Sequence, residues 1–513
     1  MNNEHLNFDD LKRLKRLKSA TLESAIAREV TLEASFTRGL PSFSVVGLAD
    51  EAIREAKDRV KSALALSGYR LPPLKITVNL SPGDLRKSGS QMDLPIALLI
   101  ALQNEPIDFG DFFCFAELGL DGETRSSPAN FALALSLASQ GALKRVVTDP
   151  ASAAELARIP NIEVYAVKTL NEAIRFFKGE SRLAPIKSPA FSAQTITIDR
   201  VYYYENEAGL DFGDVRGQKQ AKRAALIAAA GFHNLVLSGA PGTGKSMIIK
   251  RMAGILPPVS LSELLTIASL ESLEGKTPNF KASRPLRSPH HTATRSSIFG
   301  GGGKEAKIGE AALANGGILF FDELPHFPKA ILEAMREPLE DHRLLISRVN
   351  SKVVYQTRFL FAAAMNPCPC GNLYSQTREC RCAQIEIERY QGKLSDPFLD
   401  RIDLFAQTTD GDVSAIAEIS TAELRSRTLS AFVAQKRRKQ TQLNGKLDDD
   451  ETKRYCVFER DAEETLMRAA EKFALSQRSV GKVRRVSRTL ADLDESETIA
   501  KRHLMEALSF RKR

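Results

Sequence analysis

The sequence predicts an α/β protein of several domains, and three features carry that prediction. Short strand-like apolar segments, among them Phe43–Leu48, Ile76–Leu80, Asn234–Ser238 and Gly317–Phe321, alternate with stretches of helical periodicity. At 513 residues the chain is too long for one ordinary core. From about residue 412 the pattern turns helical and basic, which sets a small α-helical domain apart from the strand-bearing part.

Composition and punctuation place the boundaries. Residues 1–23 are charged and read as an exposed helical tip or a disordered extension. Residues 24–178 form an α+β unit. Its first helix follows Asp50 as N-cap, keeps Ile53, Ala56, Val60 and Leu64 at helical spacing, and ends before Gly68. Residues 179–200, with Pro185 and Pro189, read as a linker. Residues 201–405 hold the nucleotide chemistry, and 406–513 the helical domain. The polar stretch Gln440–Lys453 interrupts that domain and reads as a surface loop.

Hydrophobic content of 43% and charged content of 26% are those of a soluble globular chain. No apolar run near the front approaches the roughly 20 residues of a membrane span, and the N-terminus has no signal-peptide pattern. A cytoplasmic location is expected. The net charge of +9 favours a polyanion partner weakly, since a solvated basic surface gives the same total.

The nucleotide chemistry starts at Gly239. The strand Asn234–Ser238 runs into Gly239, Ala240, Pro241, Gly242, Thr243, Gly244, Lys245 and Ser246, and a helix follows. Strand, glycine loop and helix form the context of a phosphate-binding P-loop. Backbone N–H groups wrap the phosphates, Lys245 reaches the β- and γ-phosphates, and Ser246 ligates Mg²⁺. Asp322 and Glu323 end a second buried strand, where Asp322 suits the Mg²⁺ shell and Glu323 suits polarisation of the attacking water. Asn366 ends a third strand and either orients that water or forms a turn before Pro367. Arg401 lies in LSDPFLDRIDL, either as an arginine finger for a neighbouring subunit or as a salt-bridge partner of Asp400 or Asp403.

Six cysteines in a reducing compartment read as ligands before disulfides. Cys368, Cys370, Cys380 and Cys382 make two C-x-C pairs. Four thiolates that close together can bind a structural Zn²⁺, and four unligated thiols are the alternative.

GAPGTGKS, ILFFDE, Asn366 and FLDR are similar to AAA+ ATPases of the magnesium-chelatase and MCM-helicase branch. RPLRSPHH at 284–291, Gly300–Gly303, DELPHF, REPLEDHRLLISR and MNPCPCG look like the ComM/YifB family of magnesium-chelatase-like proteins, over about residues 24–513. The resemblance implies an AAA+ core with an α-helical lid, and a hexameric ring that binds DNA and moves it with ATP and Mg²⁺. It further implies a helicase promoting branch migration during natural transformation. It places an insert at Thr277–Ala306 and a hairpin with arms Leu344–Ile346 and Val353–Tyr355. Near the tip, Arg348 and Lys352 either grip nucleic acid or sit on a solvated turn. Arg478, in Ser476-Gln-Arg478, matches the lid arginine that senses nucleotide. Of the arginines that follow it, including Arg484, Arg485 and Arg488, some are expected to be solvated only.

Residues 24–178 look like the Lon-protease-type domain of the same family. The Lon nucleophile falls at Gln91 and its catalytic lysine at Phe131, neither of which can do that work, so peptide hydrolysis is not expected. The family's GEL is AEL here, at Ala116–Leu118. Three functions remain distinct: a DNA motor, a metal-insertion ATPase like the magnesium-chelatase motor subunit, and an ATP-dependent protease. The resemblance sets the chelatase subunit apart by its lack of such a front domain.

Overall fold

The computed structural model describes residues 15–23, 25–205, 209–301, 308–347, 352–410 and 419–512. They form two compact units. The first runs to Ala190 and takes in Ala268–Asn279, and the second holds Phe191–Ile267, Phe280–Ser347 and Lys352 onward.

The first unit is a seven-stranded mixed sheet. Its strands are β1 (Arg16–Glu23), β2 (Ile26–Thr37), β3 (Ser42–Val46), β4 (Lys75–Ser81), β5 (Phe112–Phe115), β6 (Arg145–Thr148) and β7 (Glu163–Ala166), in the order β3-β4-β2-β1-β5-β6-β7. The expected boundary at residue 24 is therefore too late. β1 pairs antiparallel with β2 along its whole length and lies inside the sheet. Of the charges that suggested an exposed tip, Arg16 and Lys18 lie on β1, one exposed and one half-buried. Arg16 meets Glu33 directly opposite at 2.8 Å, and Lys18 reaches Glu29 diagonally at 3.0 Å, while Leu17, Ala20 and Thr21 are buried. Helix α1 (Glu51–Leu66) starts as read: the Asp50 carboxylate accepts from the Ile53 N–H at 3.0 Å, and Ile53, Ala56, Val60 and Leu64 are buried. Helix α2 (Asp93–Ala101) is buried along eight of its nine residues, so it shows no amphipathic stripe.

The second unit centres on a five-stranded parallel sheet. Its strands are β8 (Leu235–Gly239), β9 (Leu286–Arg287), β10 (Ile318–Phe321), β13 (Leu360–Met365) and β14 (Leu404–Thr408), with a hairpin, β11 (Arg343–Ser347) and β12 (Lys352–Gln356), between. The order is β9-β10-β13-β8-β14. Both faces are covered, which is why these strands read as continuous apolar runs. Leu235, Leu237, Ile318, Phe320, Ala362 and Ala364 pack on one side, and Val236, Leu319, Phe321, Phe361 and Ala363 on the other. Within the expected insert Thr277–Ala306, Leu286 and Arg287 are the edge strand of this sheet, so that segment is partly core. The hairpin arms pair as expected, Leu344 with Tyr355 and Ile346 with Val353. Lys352 opposes Ser347, and Arg348 lies outside the described residues.

Residues 419–512 are helical, with two long helices over Thr421–Arg437 and Gln477–Leu493. The polar stretch from Gln440 is not a surface loop at its start: Gln440, Asn444 and Lys446 are buried. Asn444 donates to Asp492 at 2.7 Å and to Thr489 at 3.1 Å, and Asp492 also takes both guanidinium nitrogens of Arg438, at 2.6 and 2.7 Å. A Cβ on Gly445 would lie 2.7 Å from the Gly231 and Phe232 carbonyl oxygens, so only glycine fits there. Arg488 is fully buried on Asp492, not solvated. No helix among the described residues is long and apolar enough to cross a membrane.

Candidate nucleotide site

The site forms at the carboxyl ends of β8, β10 and β13, the end of an open parallel sheet where ligands bind. β8 delivers Gly239, which lies so close to β14 that a Cβ would sit 2.0 Å from the Thr408 hydroxyl. Gly242 and Gly244 adopt φ of 82° and 86°, a region that L side chains avoid. The turn releases the helix Lys245–Met252, whose first residues carry the chemistry.

Lys245 donates to the carbonyl oxygens of Gly239 and Ala240, each at 2.8 Å, and reaches Asn366 Oδ1 at 3.3 Å. Burial holds its ammonium below the ordinary lysine value, so a phosphate would be a strongly preferred partner. Ser246 Oγ donates to Asp322 Oδ2 at 2.8 Å. A hydroxyl and a carboxylate in contact are hard oxygen donors of the kind Mg²⁺ takes. Thr243 is held by Thr408 at 2.6 Å. Lys245, Ser246, Asp322 and Asn366, spread over 121 positions, thus meet at one place.

Glu323 follows Asp322 with φ of 53°, a left-handed conformation uncommon outside glycine. Its carboxylate faces two imidazoles: Nδ1 of His326 at 3.3 Å and Nδ1 of His291 at 3.4 Å. Sequence reasoning gave these histidines no role, although both lie in motifs it singled out.

Arg401 is nine-tenths buried. It contacts Glu340 and the Pro397 carbonyl, and not Asp400 or Asp403, the salt-bridge partners considered from sequence. Asp403 instead accepts from the Asn234 N–H at 2.8 Å. Arg478 meets the other oxygen of the same Glu340 and lies 3.5 Å from Asp400. Glu340 therefore bridges the two arginines, a role hidden in the sequence by separations of 61 and 138 positions. Among the described residues neither guanidinium bonds Lys245, Ser246, Asp322 or Glu323. Arg401 opens instead on a cleft of about 910 Å³ lined also by Arg295, Glu333, Arg336 and Glu337.

The four cysteines converge. Cys368 Sγ lies 3.5 Å from Cys370 Sγ and 3.7 Å from Cys380 Sγ, Cys370 and Cys380 are 3.7 Å apart, and all four sulfurs fall within 4.8 Å of one another. Zn–S bonds of about 2.3 Å at tetrahedral angles require S···S of about 3.8 Å, so the set fits zinc. Hydrogen bonds from backbone N–H groups, that of Asn372 foremost, pull the Cys370 thiol down to about 6. The cysteine loop rests on the P-loop: a Cβ on Gly371 would lie 2.5 Å from Pro241 Cδ. Cys114 and Cys456 are buried and separate.

In the first unit, Gln91 is buried and donates to the Ala20 and Ser88 carbonyl oxygens at 3.0 and 2.9 Å. Phe131 is a buried ring on helix Asn130–Ser139. Neither position carries a nucleophile or a base.

A glycine loop between strand and helix, with a lysine, a hydroxyl and a carboxylate converging on it, is the arrangement of a P-loop nucleoside triphosphatase. Residues 211–415 match the family described as magnesium chelatase, subunit ChlI, residues 418–511 its C-terminal part, and residues 32–150 the family described as subunit ChlI of Mg-chelatase. The YifB protein of Salmonella typhimurium is 37% identical over 495 residues, covering 94% of each chain. The competence protein ComM of Haemophilus influenzae is 37% identical over 492 residues, again 94% of each, and YifB of Escherichia coli is 35% identical over 495. The chain belongs to the ComM/YifB family of magnesium-chelatase-like AAA+ ATPases.

Proposed function

We propose that the protein is an ATP-driven DNA motor, a hexameric cytoplasmic helicase that promotes branch migration and integration of DNA in natural transformation. The convergence of Lys245, Ser246, Asp322 and Asn366 carries this reading. Lys245 neutralises the β- and γ-phosphates, and Ser246 and Asp322 hold Mg²⁺. Glu323 takes a proton as water attacks the γ-phosphorus, and the bond to the β–γ bridging oxygen breaks. Asn366 orients that water. The name of the Haemophilus relative supports the competence role.

Arg401 and Arg478 share Glu340, and Arg401 lines a cleft that holds no residue of its own P-loop, which supports their acting on a neighbour's nucleotide. The C-terminal helices then serve as the lid, and the first unit as a proteolytically silent Lon-like collar. The hairpin carrying Arg348 and Lys352 is assigned to DNA, and the four cysteines to one structural Zn²⁺. A metal-insertion ATPase is the second reading. The front unit does not separate the two, contrary to the expectation above, because residues 32–150 themselves match a family described as a Mg-chelatase subunit. An ATPase assay across single-stranded, forked and four-way DNA, with a porphyrin arm, separates them. Stimulation by DNA supports the motor; stimulation by porphyrin alone sinks it.

A further inference from the structure

His291 and His326 come from separate segments, one after Pro289 and one after Pro325, and both bring Nδ1 near a single oxygen of Glu323, Oε2, His326 at hydrogen-bond geometry and His291 at 3.4 Å. The rings are fixed from outside. His290 lies against His291 with centroids 4.1 Å apart, and the His291 and His326 rings are nearly perpendicular at 5.8 Å. Tyr390 lies edge-on to His326 at 6.4 Å. Among the described residues, the polar groups against the pair are thus Glu323, His290 and Tyr390. Glu323 is 56% exposed and His326 46%, and ion pairs this exposed contribute little to folding. The left-handed backbone at Glu323 costs the fold as well. A strained, exposed carboxylate gripped by two imidazoles has no evident structural purpose, but it has a chemical one.

We propose that His291 and His326 are positioning residues for the catalytic carboxylate. As neutral Nδ1–H tautomers they donate to Oε2, which fixes the plane of the carboxylate and leaves Oε1 free to accept the proton of the attacking water. This inference rests on Glu323 being the base.

The test is steady-state ATPase of the full chain, with ATP binding measured separately. His291→Gln/His326→Gln keeps an N–H donor at each position and should retain most of the wild-type kcat. His291→Leu/His326→Leu should lower kcat about tenfold or more, with KM for ATP changed less than about twofold, because neither ring touches the phosphate loop. A Gln pair that folds and is as slow as the Leu pair, or a Leu pair that folds and keeps wild-type kcat, overturns the proposal. Wild-type turnover by Glu323→Gln is a different failure, since it removes the base on which the inference rests.

Discussion

Lys87 in the first unit and Lys245 in the second are both buried in glycine-bearing loops, and burial holds both ammonium groups below the ordinary lysine value. Lys87 ends on the Pro82 carbonyl of its own loop, beside a Gln91 whose amide is spent on two further carbonyls. Lys245 also rests on backbone carbonyls, but its neighbours are a hydroxyl, a carboxylate and Asn366 at the mouth of a parallel sheet. A buried lysine is therefore not by itself a sign of chemistry. What distinguishes the second is the set of oxygen ligands beside it.

The largest effect expected from that contrast is at the two lysines themselves. Lys245→Ala should abolish productive ATP binding, measured by nucleotide titration. Lys87→Met should leave the affinity for ATP as it is and change only the melting of the first unit. Loss of ATP binding in the Lys87 variant would erase the distinction.

Arg401→Ala should come next, at about 10³- to 10⁵-fold in rate, the range for an arginine finger. Mixing Arg401→Ala with Lys245→Ala chains should restore part of the activity, because some interfaces then pair an intact P-loop with an intact finger. If the chains mix and nothing returns, while dilute monomer hydrolyses ATP at full rate, Arg401 is only a partner of Glu340.

Acid should separate the units further. Burial pulls the His233 imidazole, held by Thr489 at 2.7 Å, down to about 4. The unfolded chain takes up that proton from about pH 6.5 downward, so between 6.5 and 4 it binds more protons than the folded chain. Stability of the second unit therefore rises with pH across this window and is lost on acidification, by about 3 kcal/mol from this group. Denaturant melts from pH 4 to 7 should show that slope, and His233→Gln should flatten it.

The smallest effect on turnover is expected at the cysteines. Metal analysis of protein kept reduced and never exposed to chelator should find one zinc per chain, and finding none counts against the site. Cys380→Ser should lower the melting temperature or assembly before it lowers the rate per assembled ring, since structural zinc acts through folding.

What could be read from the sequence was what local pattern controls. The P-loop, the strand before Asp322 and the Asp50 cap each depend on neighbours within a few residues, and each stands where it was read. What was missed depends on distant partners. β1 reads as a charged tail until Glu29 and Glu33 lie beside it. Asn444 and Lys446 read as loop residues until Asp492, Thr489 and Asn234 satisfy them. β9 has two residues, too few for any periodicity to mark. Glu340 and the two histidines stood in motifs that were noticed, but their partners became visible only once the chain was folded.

The central claim is that this site hydrolyses ATP with Glu323 as the base. The direct measurement is turnover of Glu323→Gln beside its ATP affinity, with branched DNA present. The account predicts that the variant binds ATP as the wild type does and turns it over very slowly. Turnover near that of the wild type would contradict it.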